Sequence, residues 1–151
     1  MTNKGELLKH AEQLGVKASV EPSDRQRAKP ARSNEAAQRF AVECARTMED
    51  NRCEEITVLD LRGVSPVCDF FVIGTGTSDR QMRAVVDHIK KMGKSQGETP
   101  YSVGGYDEGN WIVVDYVDVI VHLFSDDQRA YYDLDSLWGD SPKVDWKPSS
   151  G

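Results

Sequence analysis

The stretch that decides the fold is Trp111–Phe124, WIVVD-YVD-VIVHLF. Two runs, Trp111–Asp115 and Val119–Phe124, are rich in β-branched and aromatic residues, and only Tyr116, Val117 and Asp118 separate them. Runs of this composition read as strands, and so short a separation joins them as an antiparallel hairpin. Upstream, Cys68–Gly74 (CDFFVIG) is a continuous apolar run, as expected of a strand covered on both faces. Glu55–Leu61 (EITVLDL) alternates in the period of a strand. Tyr101–Val103 predicts a short strand that Gly104 and Gly105 end.

Helices separate these strands. Ala36, Ala37, Phe40, Ala41, Cys44, Ala45 and Met48 form one apolar stripe, with Ser33 or Asn34 as cap and Glu35 at the positive end of the dipole. Met82, Val85, Val86, Ile89 and Met92 form the stripe of a second helix from Asp79 to about Lys94, opened by a Ser78/Gln81 capping box. Asp127–Tyr132 and Asp133–Trp138 predict short helical turns. The order is that of a single α/β domain with a mixed β-sheet flanked by helices.

The chain has 151 residues, 38% of them hydrophobic and 29% charged. That suits one ordinary domain with a polar tail. No apolar run approaches the ~20 residues of a membrane-spanning helix. Met1–Val20 also lacks the apolar stretch of a secretory signal. Cys44, Cys53 and Cys68 form no C-x-x-C pair and read as free thiols in a reducing cytoplasm.

Charge divides the chain. Residues 1–33 hold seven basic side chains (Lys4, Lys9, Lys17, Arg25, Arg27, Lys29, Arg32) against four acids. The other 12 of 19 basic residues face 21 of the 25 acids. Residues 1–33 therefore read as a flexible, net-basic tail. Within it, Lys17–Ser33 is linker-like, and the weak apolar patch Leu7, Leu8, Ala11, Leu14 is a marginal helix. The domain proper spans 34–146, and 147–151 reads as a frayed end. An acidic body repels phosphate and suits a basic protein surface.

Three constellations bear on chemistry. Gly74-Thr75-Gly76-Thr77-Ser78-Asp79 follows a strand and opens a helix, the place where a phosphate binds. Asp79 stands where the dinucleotide fingerprint requires its third glycine, and its carboxylate repels phosphate. Asp60, Asp69, Asp115 and Asp118 lie near strand ends, but without a D-x-D pair or a lysine for phosphates. His122 sits among apolar residues, where a hydrogen-bonded core histidine is the default. No catalytic or metal-binding set emerges, and no cofactor is implied. Asp107–Asp140 instead concentrates nine acids and six large aromatics around a single basic residue, Arg129. Aromatics amid acids make a patch for a basic partner. Its candidate contacts are Trp111, Asp115, Tyr116, Asp118, Arg129, Tyr132, Trp138 and Asp140. Tyr116 at the hairpin tip and Tyr132 are the expected anchors.

DFFVIGTGTSDRQMRAVVDHI (69–89), GYDEGNWIVVDYVDVIVHLF (105–124) and RAYYDLDSLWGDSPKV (129–144), taken in order, resemble the Iojap-like ribosomal silencing factors (RsfS) across residues 35–146. Two positions depart from the family pattern. Gly104 replaces an acid before Gly105, and Val117 replaces the glycine of a D-Y-G-D turn. A β-branched residue disfavours positive φ, so the turn is expected to differ. The resemblance implies a nucleotidyltransferase-like topology without the catalytic set. It implies a non-enzymatic cytoplasmic protein that binds the large ribosomal subunit through ribosomal protein fourteen. There it would sterically block joining of the small subunit and repress translation under nutrient limitation. No membrane or sequence-specific nucleic acid is implied as partner, and homodimerisation of the free protein is left open. The alternatives are a nucleotidyltransferase-like enzyme and a general ribosome-assembly module.

Overall fold

The computed structural model describes residues 24–133 and 140–147. In chain order the elements are α1 (Asp24–Arg27), α2 (Asn34–Asp50), β1 (Glu54–Asp60), β2 (Phe70–Thr75), α3 (Asp79–Ser95), β3 (Ser102–Gly104), β4 (Trp111–Asp115), β5 (Val119–Phe124) and α4 (Asp126–Tyr132). The strands form one sheet in the order β1-β2-β5-β4-β3. Only β2 and β5 pair in parallel; the other neighbours are antiparallel. The mixed α/β sheet expected from the sequence is thus present, with β4 and β5 at the bounds read from the hairpin.

Strand alternation sorts the core. Val119, Val121 and Leu123 of β5 face α2 and α3, in a cluster with Phe40, Ala41, Cys44, Met48, Val85, Val86 and Ile89. Ile120 and Phe124 point the other way, in a second cluster with Trp111, Ile73, Leu61 and Tyr132. Each fully buried aliphatic or aromatic side chain contributes about 1.5–3 kcal/mol, so β4 and β5, buried at every position, anchor the fold. Ser33 caps α2, its Oγ accepting from the Ala36 N–H at 3.1 Å. Ser78 caps α3, accepting from the Gln81 N–H at 3.0 Å. The Gln81 side chain reaches back to the Thr77 N–H (3.1 Å), one residue before the expected box partner.

Three features depart from the sequence reading. β1 carries an irregularity between Glu54 and Thr57, and Glu55 adopts φ +49°. The C-terminal segment runs along β1: Asp60 N–H donates to Pro142 O and Val144 N–H to Val58 O. Trp146 is buried there, its Nε1 donating to Ile56 O at 3.2 Å. The boundary expected at residue 33 is crossed from the N-terminal side by Arg25 and Arg32. The marginal helix at 7–14, the second turn at 134–138 and the end at 148–151 lie outside the described residues.

Candidate partner-binding surface

The β4–β5 turn is closed by Tyr116 N–H donating to Val119 O (2.9 Å) and Asp118 N–H to Tyr116 O (3.0 Å). Val117 holds φ +76°, the conformation a glycine would take. A β-branched residue there costs about 1–3 kcal/mol, so its surroundings must impose it. They do so from two sides. Asp115 Oδ1 accepts from the Val117 N–H at 2.8 Å, and Arg25 Nη2 donates to Val117 O at 3.0 Å.

Asp115 and Asp118, two of the candidate contacts, lie inside at 0% and 2% exposure. A buried carboxylate persists only when paired and hydrogen-bonded. Arg25 forks onto Asp115, Nε to Oδ2 at 2.6 Å and Nη2 to Oδ1 at 2.9 Å, while its Nη1 donates to Val67 O at 2.8 Å. Arg32 forks onto Asp118 at 2.7 and 2.6 Å and pairs with Glu98 at 3.0 Å. Its guanidinium also lies 4.6 Å from the Phe40 ring centroid. Burial opposes the Arg32 charge, yet Asp118 and Glu98 outweigh it and raise its pKa. The acids are interior because the tail brings its own cations to them.

Tyr116 is likewise not an exposed tip but 1% exposed, edge-on to Phe40 with centroids 4.7 Å apart. Gly93 makes this room, since a Cβ there would lie 3.1 Å from Tyr116 Oη. Burial pushes the phenol pKa up, and its hydroxyl has no hydrogen-bond partner among the described residues.

On the opposite face Trp111 stacks on Phe124 at 4.9 Å and touches Tyr132 at 4.7 Å. Its Nε1 donates to His122 Nδ1 at 3.1 Å. Burial lowers the His122 pKa to about 3, so the imidazole is neutral, as expected of a core histidine. Arg129 is 8% exposed rather than presented to a partner. It donates to Thr75 Oγ1 at 3.1 Å and to the Glu55 carbonyl, bracing the irregularity of β1. Asp140 is exposed, and Trp138 lies outside the described residues. Tyr131, which the sequence reading passed over, is 67% exposed. Adjacent helical residues point about 100° apart, so only one tyrosine of the pair can face the sheet. Asp126, Asp127 and Asp133, on and next to α4, are exposed with it, while Asp140 is exposed in the C-terminal segment that runs to the Asp60 end of β1.

The glycine turn serves packing. A Cβ on Gly74 would lie 2.7 Å from Met48 Sδ, and one on Gly76 would lie 2.0 Å from Met82 Cγ. Beside it a cavity of about 370 Å³ is lined by Glu54, Gly76, Thr77, Ser78, Asp79, Ser125, Asp126 and Asp127. Four of these are acids and none is basic. Arg83 pairs with Asp79 at 2.6 Å and holds that carboxyl below its ordinary range. The site favours no phosphate. Among the described residues no His/Cys/Asp/Glu group suits a metal. No helix among them is long and apolar enough to cross a membrane. All three thiols are buried, and burial pushes Cys53 up to about 11 and raises Cys44 and Cys68 as well.

Fold and surface thus define a single-domain α/β protein with a mixed five-stranded sheet and an exposed α4 that carries Tyr131, Asp126 and Asp127. The model of the family described as "ribosomal silencing factor during starvation" matches residues 31–150. The ribosomal silencing factor RsfS of Bacillus subtilis is 43% identical over 101 residues, covering 67% of this chain and 86% of that protein. A crystal structure of a Bacillus halodurans protein superposes with a TM-score of 0.61 at 35% identity, covering 74% of this chain and 99% of the other. A mouse protein named "Mitochondrial assembly of ribosomal large subunit protein 1" is 32% identical over 94 residues, 60% of this chain and 41% of that protein. The chain belongs to the ribosomal silencing factor (RsfS) family.

Proposed function

We propose that this protein represses translation in the cytoplasm under nutrient limitation. It binds the large ribosomal subunit through ribosomal protein fourteen and sterically blocks joining of the small subunit. The observation that supports this reading is the exposed surface on α4, where Tyr131 stands with Asp126, Asp127 and Asp133. Such a surface complements a basic ribosomal protein. Asp140 is a direct contact in this reading, and Trp138 belongs to the same stretch. Trp111, Arg129 and Tyr132 set the surface from beneath by holding α4 and β5 in place, while Asp115, Tyr116 and Asp118 fix the adjoining hairpin.

The activity is occupancy rather than turnover. A body of this length is roughly 30–35 Å across, by the scaling of compact domains. Surfaces that must nearly touch cannot admit it by side-chain adjustment. Inhibition is then stoichiometric and reversible. Purified protein titrated into separated subunits should reduce joined ribosomes in proportion to large subunits occupied, read on sucrose gradients, and should co-migrate with the free large subunit. One molecule inactivating many ribosomes would refute the steric reading. Sedimentation only at the top of the gradient would refute ribosome binding.

A further inference from the structure

Helix α3 runs against the charge of the chain around it. It holds five basic residues, Arg80, Arg83, Lys90, Lys91 and Lys94, against two acids, Asp79 and Asp87, in a chain of net charge −6. Arg83 pairs with Asp79 at 2.6 Å, and the Asp87 carboxylate accepts from the Tyr106 hydroxyl at 3.0 Å. Glu98, just past the helix, is taken by Arg32 at 3.0 Å. Arg80, Lys90, Lys91 and Lys94 are exposed, and their side chains make no ion pair or hydrogen bond among the described residues. At 3.6 residues per turn these four fall within about 80° of the helix circumference, along about 21 Å of its axis. The opposite side is buried through Met82, Val85, Val86 and Ile89. Helix stability does not explain the stripe. The dipole suits Lys94 in the last turn, but Arg80 stands in the first turn, where a cation is opposed. Ala84, one turn on, gives Arg80 no acid to pair with.

Unpaired cations in a row fit a polyanion. The large hydrophobic residues exposed among the described ones, Val64 and Tyr131, lie outside α3, so its open face offers nothing to insert between bases or into a bilayer. It offers charges on flexible stems, which suit phosphates without selecting a sequence. The acids elsewhere on the chain do not cancel it, because exposed charges are screened beyond about 8 Å at physiological salt. We propose that this face of α3 lies along the phosphate backbone of ribosomal RNA, as a second contact on the large subunit. That the RNA is ribosomal rests on the proposed function. α3 packs in the first core cluster and Tyr132 of α4 in the second, so the sheet stands between the two surfaces. Each therefore meets its own component: the acids of α4 a basic protein, the cations of α3 the phosphates beside it.

Full-length wild type and R80Q/K90Q/K91Q/K94Q are titrated against purified large subunits by co-sedimentation from about 50 to 200 mM salt. The variant should bind about tenfold more weakly, or worse, at the low end, and its log–log salt slope should be shallower by about two units or more. Thermal unfolding should not change, because the four side chains are exposed and unpaired. A second measurement places a short photo-crosslinker on A84C, in the middle of the stripe; the native thiols are buried and escape the label. Bound to the large subunit, it should capture ribosomal RNA. Equal salt slopes for the two proteins overturn the proposal and leave the α4 contact standing. So does a crosslink to ribosomal protein alone, which would make an acidic protein the occupant, or no crosslink from a bound subunit. Failure of the wild type to sediment with large subunits at any salt refutes the proposed function, and this inference with it.

Discussion

His122 carries a pH dependence that the structure fixes in sign and size. Its imidazole sits between β4 and the β2 strand edge, accepting the Trp111 indole proton at 3.1 Å and meeting the Phe71 ring edge-on at 4.6 Å. Burial lowers its pKa from 6.5 to about 3. In the unfolded chain the ring takes a proton near its ordinary value; in the folded chain it does not. Between those two values the unfolded state binds more protons, so stability falls as pH falls. The stabilising contribution is complete above about pH 7 and has been lost once pH passes below the folded pKa. Each pH unit inside the window corresponds to about 1.4 kcal/mol per proton. About 2 kcal/mol is therefore lost at pH 5 relative to neutral, from this group alone. H122Q keeps an acceptor for the indole and removes the titration. Urea unfolding of wild type and H122Q at half-unit steps from pH 7.5 to 4.5 separates this contribution from the carboxylates, which both proteins share. The wild-type free energy should fall more steeply than that of H122Q by about 1 kcal/mol per pH unit near pH 5.5. Exposed His88 is present in both and cancels. Parallel curves would show that His122 is not held neutral by burial, and the packing argument for the Trp111 cluster would fall with it.

Three further outcomes follow from named contacts. G76A places a methyl group against Met82 and should cost about 1–3 kcal/mol by urea unfolding, with G76A/M82A less unstable than the two single losses added. V117G relieves a strained turn but forfeits a buried side chain, so its free energy of unfolding should lie within about 1 kcal/mol of wild type, against the larger loss usual for a core valine. Y131A should leave thermal unfolding unchanged and weaken association with large subunits by about 2 kcal/mol in gradient co-sedimentation; unchanged association would remove Tyr131 from the contact surface.

The legible parts of the fold were those written in local pattern. β4 and β5 keep their expected bounds because two continuous apolar runs flank a three-residue turn, and no competing element shares that signature. The stripes of α2 and α3 are the faces that are buried, apart from Ala36 and Met92 at their margins. Illegible were the features that depend on partners distant in sequence. The irregularity at Glu55 is braced by Arg129, 74 residues away. Asp115 is neutralised by a side chain 90 residues upstream. Composition around Arg25, polar and proline-flanked, carries only a linker signal, because the forks of Arg25 and Arg32 leave no periodic apolar face in the sequence. The choice between Tyr131 and Tyr132 rests on helix phase, which a seven-residue helix does not reveal in sequence. The signal that was available, and unused, is that two aspartates inside a hairpin buried on both faces demand cations.

That demand changes how the charge asymmetry should be understood. A basic tail and an acidic body suggest two separate surfaces with separate partners. In the folded chain part of the asymmetry is internal: Arg25 and Arg32 of the tail are consumed by Asp115 and Asp118 of the body. Those two acids contribute little to the field outside, because their charges are neutralised in place. The exposed field of the 107–140 region comes instead from residues such as Asp126, Asp127 and Asp133, on and next to α4, and Asp140 in the C-terminal segment. Asp126 and Asp127 also stand in the first turn of α4, where acidic side chains suit the helix dipole. In the proposed function, long-range attraction of a basic surface therefore falls to the exposed acids of α4 rather than to the hairpin, and it acts over about one Debye length and weakens with salt.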